Sequence, residues 1–295
     1  MRVVSGLAAF FAVALSATVV VAQERVVRDV YEGRPYRLYL PAAPARHRPL
    51  IVALHGCAQT PEDFALGTRL DKAAGRRGLR VLYPAQPALD NPARCWNWFL
   101  PARGEEAEVL ALVRQTLRVH ASDATGAVVL GLSAGGYMAV NLVCAAPDLV
   151  IGVGVVAGGP YRCANDTRTA IACMRGENPD GTTAAARCRS VTGKAFTARA
   201  ALWHGDGDSV VSPANLIALT EMFVTLRAPR PTGFTERRDG AVRSVYRAPD
   251  GQPVIESWLV QGMGHAWSGG DTRGTHTYPA GPDATEAMLR FLLER

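Results

Sequence analysis

The residues Gly131-Leu132-Ser133-Ala134-Gly135-Gly136 follow an aliphatic run, Ala127 to Leu130, and precede a helical pattern from Tyr137 to Cys144. A strand that enters a helix through so tight a Gly-x-Ser-x-Gly turn holds the serine in a strained conformation with its hydroxyl above the sheet. Glycines at positions 131 and 135 give the neighbouring backbone room. The helix that begins there points its free amide donors at the same place, where an anionic tetrahedral intermediate would be stabilised. The chemistry implied is nucleophilic attack by Ser133 on an acyl carbonyl.

A serine hydroxyl is a weak nucleophile at neutral pH and needs an imidazole base, itself oriented by a carboxylate. In a chain carrying this elbow the order is serine, acid, histidine. Asp208, in His204-Gly205-Asp206-Gly207-Asp208, lies just beyond the apolar run Ala201-Leu202-Trp203 and is the expected acid. Asp206 competes with it, and one of the two could simply cap the turn before Ser212. His265, in Gly262-Met263-Gly264-His265-Ala266-Trp267, follows another apolar run and is the expected base. His47, His120 and His276 read as solvated surface residues, and His55 and His204, each before a glycine at a strand end, as supports for their loops. Two convergent N–H donors are needed for the oxyanion. They are expected from Ala134, after the nucleophile, and from Cys57, in the loop after Leu50 to Leu54. No residue calls for a cofactor or a metal.

The elements that must position these groups are legible as short aliphatic runs: Leu50 to Leu54, Leu79 to Tyr83, Ala127 to Gly131, Val150 to Val156, Ala200 to Trp203 and Val254 to Val260. Strands buried on both faces read this way, which predicts a mostly parallel central sheet. Helices are predicted over Glu105 to His120, after Ser212-Pro213, and over Asp283 to Arg295, each with one apolar face against the sheet. The stretch from Gly158 to Lys194 holds three of the six cysteines and reads as a cross-linked excursion between core strands. Asp239-Gly240 and Asp250-Gly251 predict hairpin-like turns. The expected fold is an α/β-hydrolase fold with helices on both faces, formed by residues 23–295 without a separate substrate-binding domain.

Residues 1–22 have one positive charge, an apolar run and a small-residue cleavage site after Ala22, the pattern of a secretory signal peptide rather than a membrane anchor. A secreted protein, extracellular or periplasmic, is therefore expected, and its six cysteines read as disulfides. The net charge of +6 comes almost entirely from arginine, with Lys only at Lys72 and Lys194. No basic cluster interleaved with aromatics appears, so nucleic acid is not an expected partner. Gly152-Val153-Gly154-Val155-Val156-Ala157 imitates a dinucleotide fingerprint but lies inside an apolar run, and a buried strand explains it better. Asn165-Asp166-Thr167 is a glycosylation sequon in form only.

Taken together, Leu54-His55-Gly56-Cys57-Ala58-Gln59, Cys95-Trp96-Asn97-Trp98-Phe99, the elbow at Ser133, Gly159-Pro160-Tyr161 with Cys163, His204-Gly205 with Asp208, and Gly264-His265-Ala266-Trp267 resemble the polyhydroxybutyrate depolymerase family of esterases. The resemblance covers nearly all of the chain after residue 22 and extends to feruloyl and acetylxylan esterases. It implies a Ser133, Asp208, His265 triad, an oxyanion amide from Cys57, and a bridge between Cys57 and Cys95. The four remaining cysteines allow three pairings, of which Cys163 with Cys173 is preferred. The residues after the base read Ala266-Trp267-Ser268-Gly269, where many relatives place proline after the tryptophan, so the loop there is expected to differ in shape.

The expected activity is that of a secreted serine esterase working through an acyl-enzyme on poly- or oligo-(3-hydroxybutyrate), with feruloyl or acetylxylan esterase as the enzymatic alternative. Depolymerases of solid polymer commonly carry a linker and a polymer-binding domain. Neither is expected from this sequence, which places soluble oligomers and small esters beside polymer as expected substrates. Trp267 is expected near the substrate, while Trp96, Trp98 and Tyr161 either line a cleft or pack loops. A non-catalytic secreted polysaccharide- or surface-binding protein of this fold is the alternative of another class. It would be expected to lose a triad position, and all three are filled.

Overall fold

A computed structural model of the chain describes residues 23–100, 104–177, 179–193, 196–227 and 230–294, so the expected signal peptide at 1–22 lies outside the described residues. In chain order the elements are β1 (Arg25–Tyr31), β2 (Arg34–Leu40), β3 (Leu50–Leu54), α1 (Pro61–Thr68), α2 (Leu70–Gly75), β4 (Val81–Pro84), α3 (Glu105–His120), β5 (Ala127–Leu132), α4 (Ala134–Ala145) and β6 (Val150–Val156). The second half adds α5 (Thr167–Met174), α6 (Gly181–Thr192), β7 (Arg199–Gly205), α7 (Ala214–Leu226), β8 (Thr232–Arg238), β9 (Ala241–Arg247), β10 (Pro253–Val260), β11 (Trp267–Ser268), β12 (Thr277–Tyr278) and α8 (Ala284–Leu293).

Ten of these strands form one sheet in the order β1-β2-β4-β3-β5-β6-β7-β10-β9-β8. The run from β4 to β10 is parallel throughout. Antiparallel pairs extend it at both ends: β1-β2-β4 on one side and β10-β9-β8 on the other. The sheet therefore has the mostly parallel centre that the aliphatic runs predict, with helices on both faces, the α/β-hydrolase fold. The outer strands were not legible, because β1 and β8 are largely exposed and carry no apolar run.

Alternation along β3 shows how the two cores divide. Leu50, Val52 and Leu54 face the core formed with α3, α4, α6 and α7, whereas Ile51 and Ala53 face the one formed with α1, α2 and α8. The dinucleotide-like glycines belong to this packing. A Cβ on Gly154 would lie 2.5 Å from Leu130 Cδ2 and 2.9 Å from Met288 Sδ, so glycine lets α8 lie close against β6.

The cross-linked excursion resolves into α5 and α6. Asp166 caps α5 by accepting from Thr169 N, and Asp180 caps α6 by accepting from Thr183 N. Disulfides Cys163–Cys173 and Cys144–Cys188 fasten this segment, the second directly to α4. Asp239-Gly240 does turn β8 into β9, as the hairpin signal predicts. Among the described residues no helix is long and apolar enough to cross a membrane.

Candidate active site

Ser133 sits between β5 and α4 with φ 57° and ψ −123°, a left-handed conformation that costs a non-glycine residue about 1–3 kcal/mol. Its neighbours show why the turn needs glycine. A Cβ on Gly131 would lie 2.2 Å from Gly135 O, and one on Gly135 would lie 2.2 Å from Leu54 O and 2.5 Å from His55 O. The second approach also presses the start of α4 against the loop after β3. The strand ends are stitched together along this edge: Ser133 N donates to Val156 O (2.9 Å), Ala157 N to Trp203 O (2.9 Å) and Asp206 N to Val260 O (3.1 Å). Ser133, Asp208 and His265 thus all leave the sheet at the carboxyl ends of parallel strands.

Asp208, not Asp206, meets the histidine. His265 Nδ1 lies 2.7 Å from Asp208 Oδ2. Burial by itself pushes the Asp208 carboxyl up, but hydrogen bonds from His204 and His265 and from the Val211 N–H outweigh it and hold it well below the usual carboxylate range. The carboxylate is ionised and can only accept, so Nδ1 of His265 carries a hydrogen, and the neutral ring is the tautomer whose Nε2 is free to accept a proton. The other Asp208 oxygen accepts from Val210 N and Val211 N, both at 2.9 Å, and His204 Nε2 reaches both Val211 O (2.9 Å) and Asp208 Oδ2 (3.4 Å). Asp206 accepts instead from Gly262 N (2.7 Å), and Gly207 N donates to Met263 O (3.0 Å). Those bonds lock the acid loop to the histidine loop. Gly205 is the point of closest approach, since a Cβ there would lie 2.0 Å from Met263 O.

The loop after β3 is held on every side. The Cys57–Cys95 disulfide is present, Ala58 N donates to Ala93 O (2.7 Å), and Trp96 Nε1 donates to His55 O (3.0 Å). His55 is 1% exposed, and burial above all lowers its pKa from 6.5 to about 4. The ring is therefore neutral. Its Nε2 accepts from Gln86 N (3.1 Å), which puts the hydrogen on Nδ1, 2.8 Å from Gly56 O. In a planar trans peptide C=O and N–H point in opposite directions, so holding Gly56 O sets the direction of the Cys57 N–H. That N–H takes no partner among the described residues. The Ala134 N–H is one of the first-turn donors that α4 itself cannot use.

Trp267 departs from expectation. Its side chain is 1% exposed, packs edge-on against Phe64 and donates from Nε1 to Thr285 Oγ1 (3.0 Å), so it is core beneath the histidine loop and offers no face to a substrate. Trp96, Trp98 and Tyr161 are buried as well, Trp98 stacked on Tyr137. His276, expected as a surface residue, is exposed and lies edge-on to His265 with ring centroids 6.3 Å apart. Two glutamines carried no signal of their own. Gln86 fixes the His55 tautomer, and Gln59 joins segments more than two hundred residues apart.

The sequence profile described as "Esterase PHB depolymerase" matches residues 34–247. The chain belongs to that family. It is 31% identical over 237 residues to a poly(3-hydroxyalkanoate) depolymerase C of Paucimonas lemoignei, covering 77% of this chain and 57% of the relative. A feruloyl esterase B of Thermothelomyces thermophilus is 29% identical over 139 residues, 45% of this chain and 47% of the relative. The chain thus spans about half the length of these curated relatives. Among solved structures, an acetyl xylan esterase from Aspergillus awamori superposes with a TM-score of 0.70 at 18% identity, covering 82% of this chain and 94% of that one, a likeness of fold.

Proposed function

We propose that this member of the esterase family is a secreted serine hydrolase that cleaves carboxylic esters through an acyl-enzyme, with hydroxyalkanoate oligomers or polymer as its substrate class. The observation that carries the reading is the 2.7 Å contact between His265 Nδ1 and an ionised Asp208, reached from the ends of different strands, together with a strained Ser133 at the mouth of α4. Ser133 Oγ attacks the ester carbonyl carbon while its proton passes to His265 Nε2. The resulting oxyanion is met by the N–H groups of Cys57 and Ala134. Collapse of the tetrahedral intermediate breaks the bond to the alcohol oxygen, which takes the proton from His265. Water then attacks the acyl-enzyme, giving its proton to the same nitrogen, and Ser133 leaves with that proton as the acid is released.

Asp208 holds the base in the reactive tautomer and stabilises its charged form in each half-reaction. The Paucimonas relative supports the hydroxyalkanoate class, being named for that polymer and matched over most of this chain. Feruloyl or acetyl esters are the second reading, favoured by the feruloyl esterase similarity. A fluorophosphonate probe, followed by initial rates on 3-hydroxybutyrate oligomers, emulsified polymer, methyl ferulate and acetylated xylan, tests both levels. Labelling of Ser133 and fastest turnover of the hydroxybutyrate substrates are expected. Failure to label folded protein would remove the serine mechanism, and faster turnover of a cell-wall ester would move the substrate class.

A further inference from the structure

Gln59 is 2% exposed, at the end of the loop that follows β3, and its side-chain amide is fully used. Oε1 accepts from Gly56 N at 2.9 Å. Nε2 lies 3.0 Å from Asp63 Oδ2, 3.2 Å from Thr275 O and 3.1 Å from Thr275 Oγ1. The orientation follows from chemistry: a backbone N–H can only donate and a backbone C=O can only accept, so oxygen faces Gly56 and nitrogen faces Thr275. Asp63 completes the junction by accepting from Thr275 N (3.0 Å) and from the Thr275 hydroxyl.

Each end of this bridge leads to one half of the proposed site. On one side Gln59 holds the peptide before Gly56, while His55 Nδ1 holds the peptide after it. The Cys57 N–H belongs to the latter peptide, and Gly56 is pinned from both directions. A Cβ at Gly56 would come within 3.2 Å of Gln59 Oε1, so the amide packs closely on the Gly56 backbone. On the other side Thr275 adjoins His276, whose carbonyl accepts from Trp267 N at 2.7 Å, and β12 then pairs with β11, two residues beyond His265.

We infer that Gln59 is a positioning residue that keeps the oxyanion amide of Cys57 in register with His265 by bridging Gly56 to Thr275. The inference rests on the roles proposed above for Ser133, Cys57 and His265. Its consequence is specific: loss of the bridge loosens the donor aimed at the tetrahedral anion, so it acts on the transition state more than on ground-state binding.

The test compares wild type, Gln59→Met, which keeps length and loses the hydrogen bonds of the amide, and Thr275→Val, at a residue exposed enough to tolerate the change. Measured are kcat and KM on a soluble 3-hydroxybutyrate oligomer, the inhibition constant of an alkylboronic acid, which takes a tetrahedral anionic form on a serine, and thermal unfolding. For Gln59→Met, kcat should fall about 10- to 100-fold, less than the roughly 100- to 1000-fold for deleting an oxyanion donor, with KM within about threefold. Boronate affinity should fall by a similar factor. Thr275→Val should show the same signature at about 3- to 10-fold, and it decides the matter alone if Gln59→Met does not fold. A folded Gln59→Met with wild-type kcat overturns the inference, as does a kcat loss with unchanged boronate affinity. Turnover retained by Ser133→Ala would instead overturn the underlying reading of the site.

Discussion

Acid should destabilise this protein partly through His55, and the size of the effect can be worked out. The ring is buried and neutral, with Nδ1 donating to Gly56 O and Nε2 accepting from Gln86 N. Burial strips the charged ring of solvent and lowers the pKa from 6.5 to about 4, and a proton on Nε2 would also face the Gln86 N–H. In the unfolded chain the ring titrates near its ordinary value. Between pH 6.5 and about 4 the unfolded state therefore binds one more proton than the folded state, and stability falls as pH falls through that window. The slope approaches about 1.4 kcal/mol per pH unit, so moving from about pH 7 to about pH 4.5 should cost about 2–3 kcal/mol through this group. Urea unfolding of wild type and His55→Gln, disulfides intact, measures it. The variant is less stable at neutral pH because it cannot satisfy both backbone partners, yet the gap should narrow by about 2 kcal/mol on acidification, since the other titrating groups are common to both. A gap of constant size at the two pH values would refute the argument that His55 is held neutral.

Asp208→Asn should lower kcat by about 10⁴ with little change in KM, because a carboxamide no longer dictates which nitrogen of His265 carries the hydrogen; steady-state kinetics on a soluble ester decide it, and a loss below tenfold would argue against the acid assignment. The same carboxyl, held low, contributes stability that is present above the ordinary carboxylate pKa and lost as pH falls toward its depressed value, so Asp208→Asn should also flatten the acid limb of the unfolding curve. Trp267→Phe removes the hydrogen bond to Thr285 from a buried ring and should cost about 1–2 kcal/mol of stability while leaving KM unchanged. A raised KM at unchanged stability would return Trp267 to the substrate.

The fold's centre was legible because chemistry and burial coincide there. Leu50–Leu54 and Val150–Val156 are strands with the bounds that their aliphatic runs predict, since a strand covered on both faces has no room for polar residues. Glu105–His120 is a helix for the same reason in a different period. The tight turn at Ser133 was equally readable, because only glycine tolerates backbone oxygen at 2.2 Å from where a Cβ would be. Resemblance, rather than spacing, supplied the Cys57–Cys95 pairing that the structure contains.

Other features depended on tertiary contact. Sequence favoured Asp208 over Asp206, two residues apart on one loop, but could not show what sets them apart; the pairing of β7 with β10 and the bond from Gly262 N to Asp206 turn one toward His265 and the other away. Nor could it place Trp267, since an aromatic beside a histidine looks the same whether it faces a ligand or Phe64. Gln59 was the least visible of all: its partners, Gly56 and Thr275, are far apart in the chain, and a neutral amide announces no chemistry until both are beside it. The sequence by itself determined the kind of nucleophile, the order of its helpers and the strands that carry them, because those follow from local backbone geometry and burial. Which carboxylate, which tautomer and which bridge hold the helpers in place was decided by the folded chain, because hydrogen bonds between distant segments leave no periodic trace.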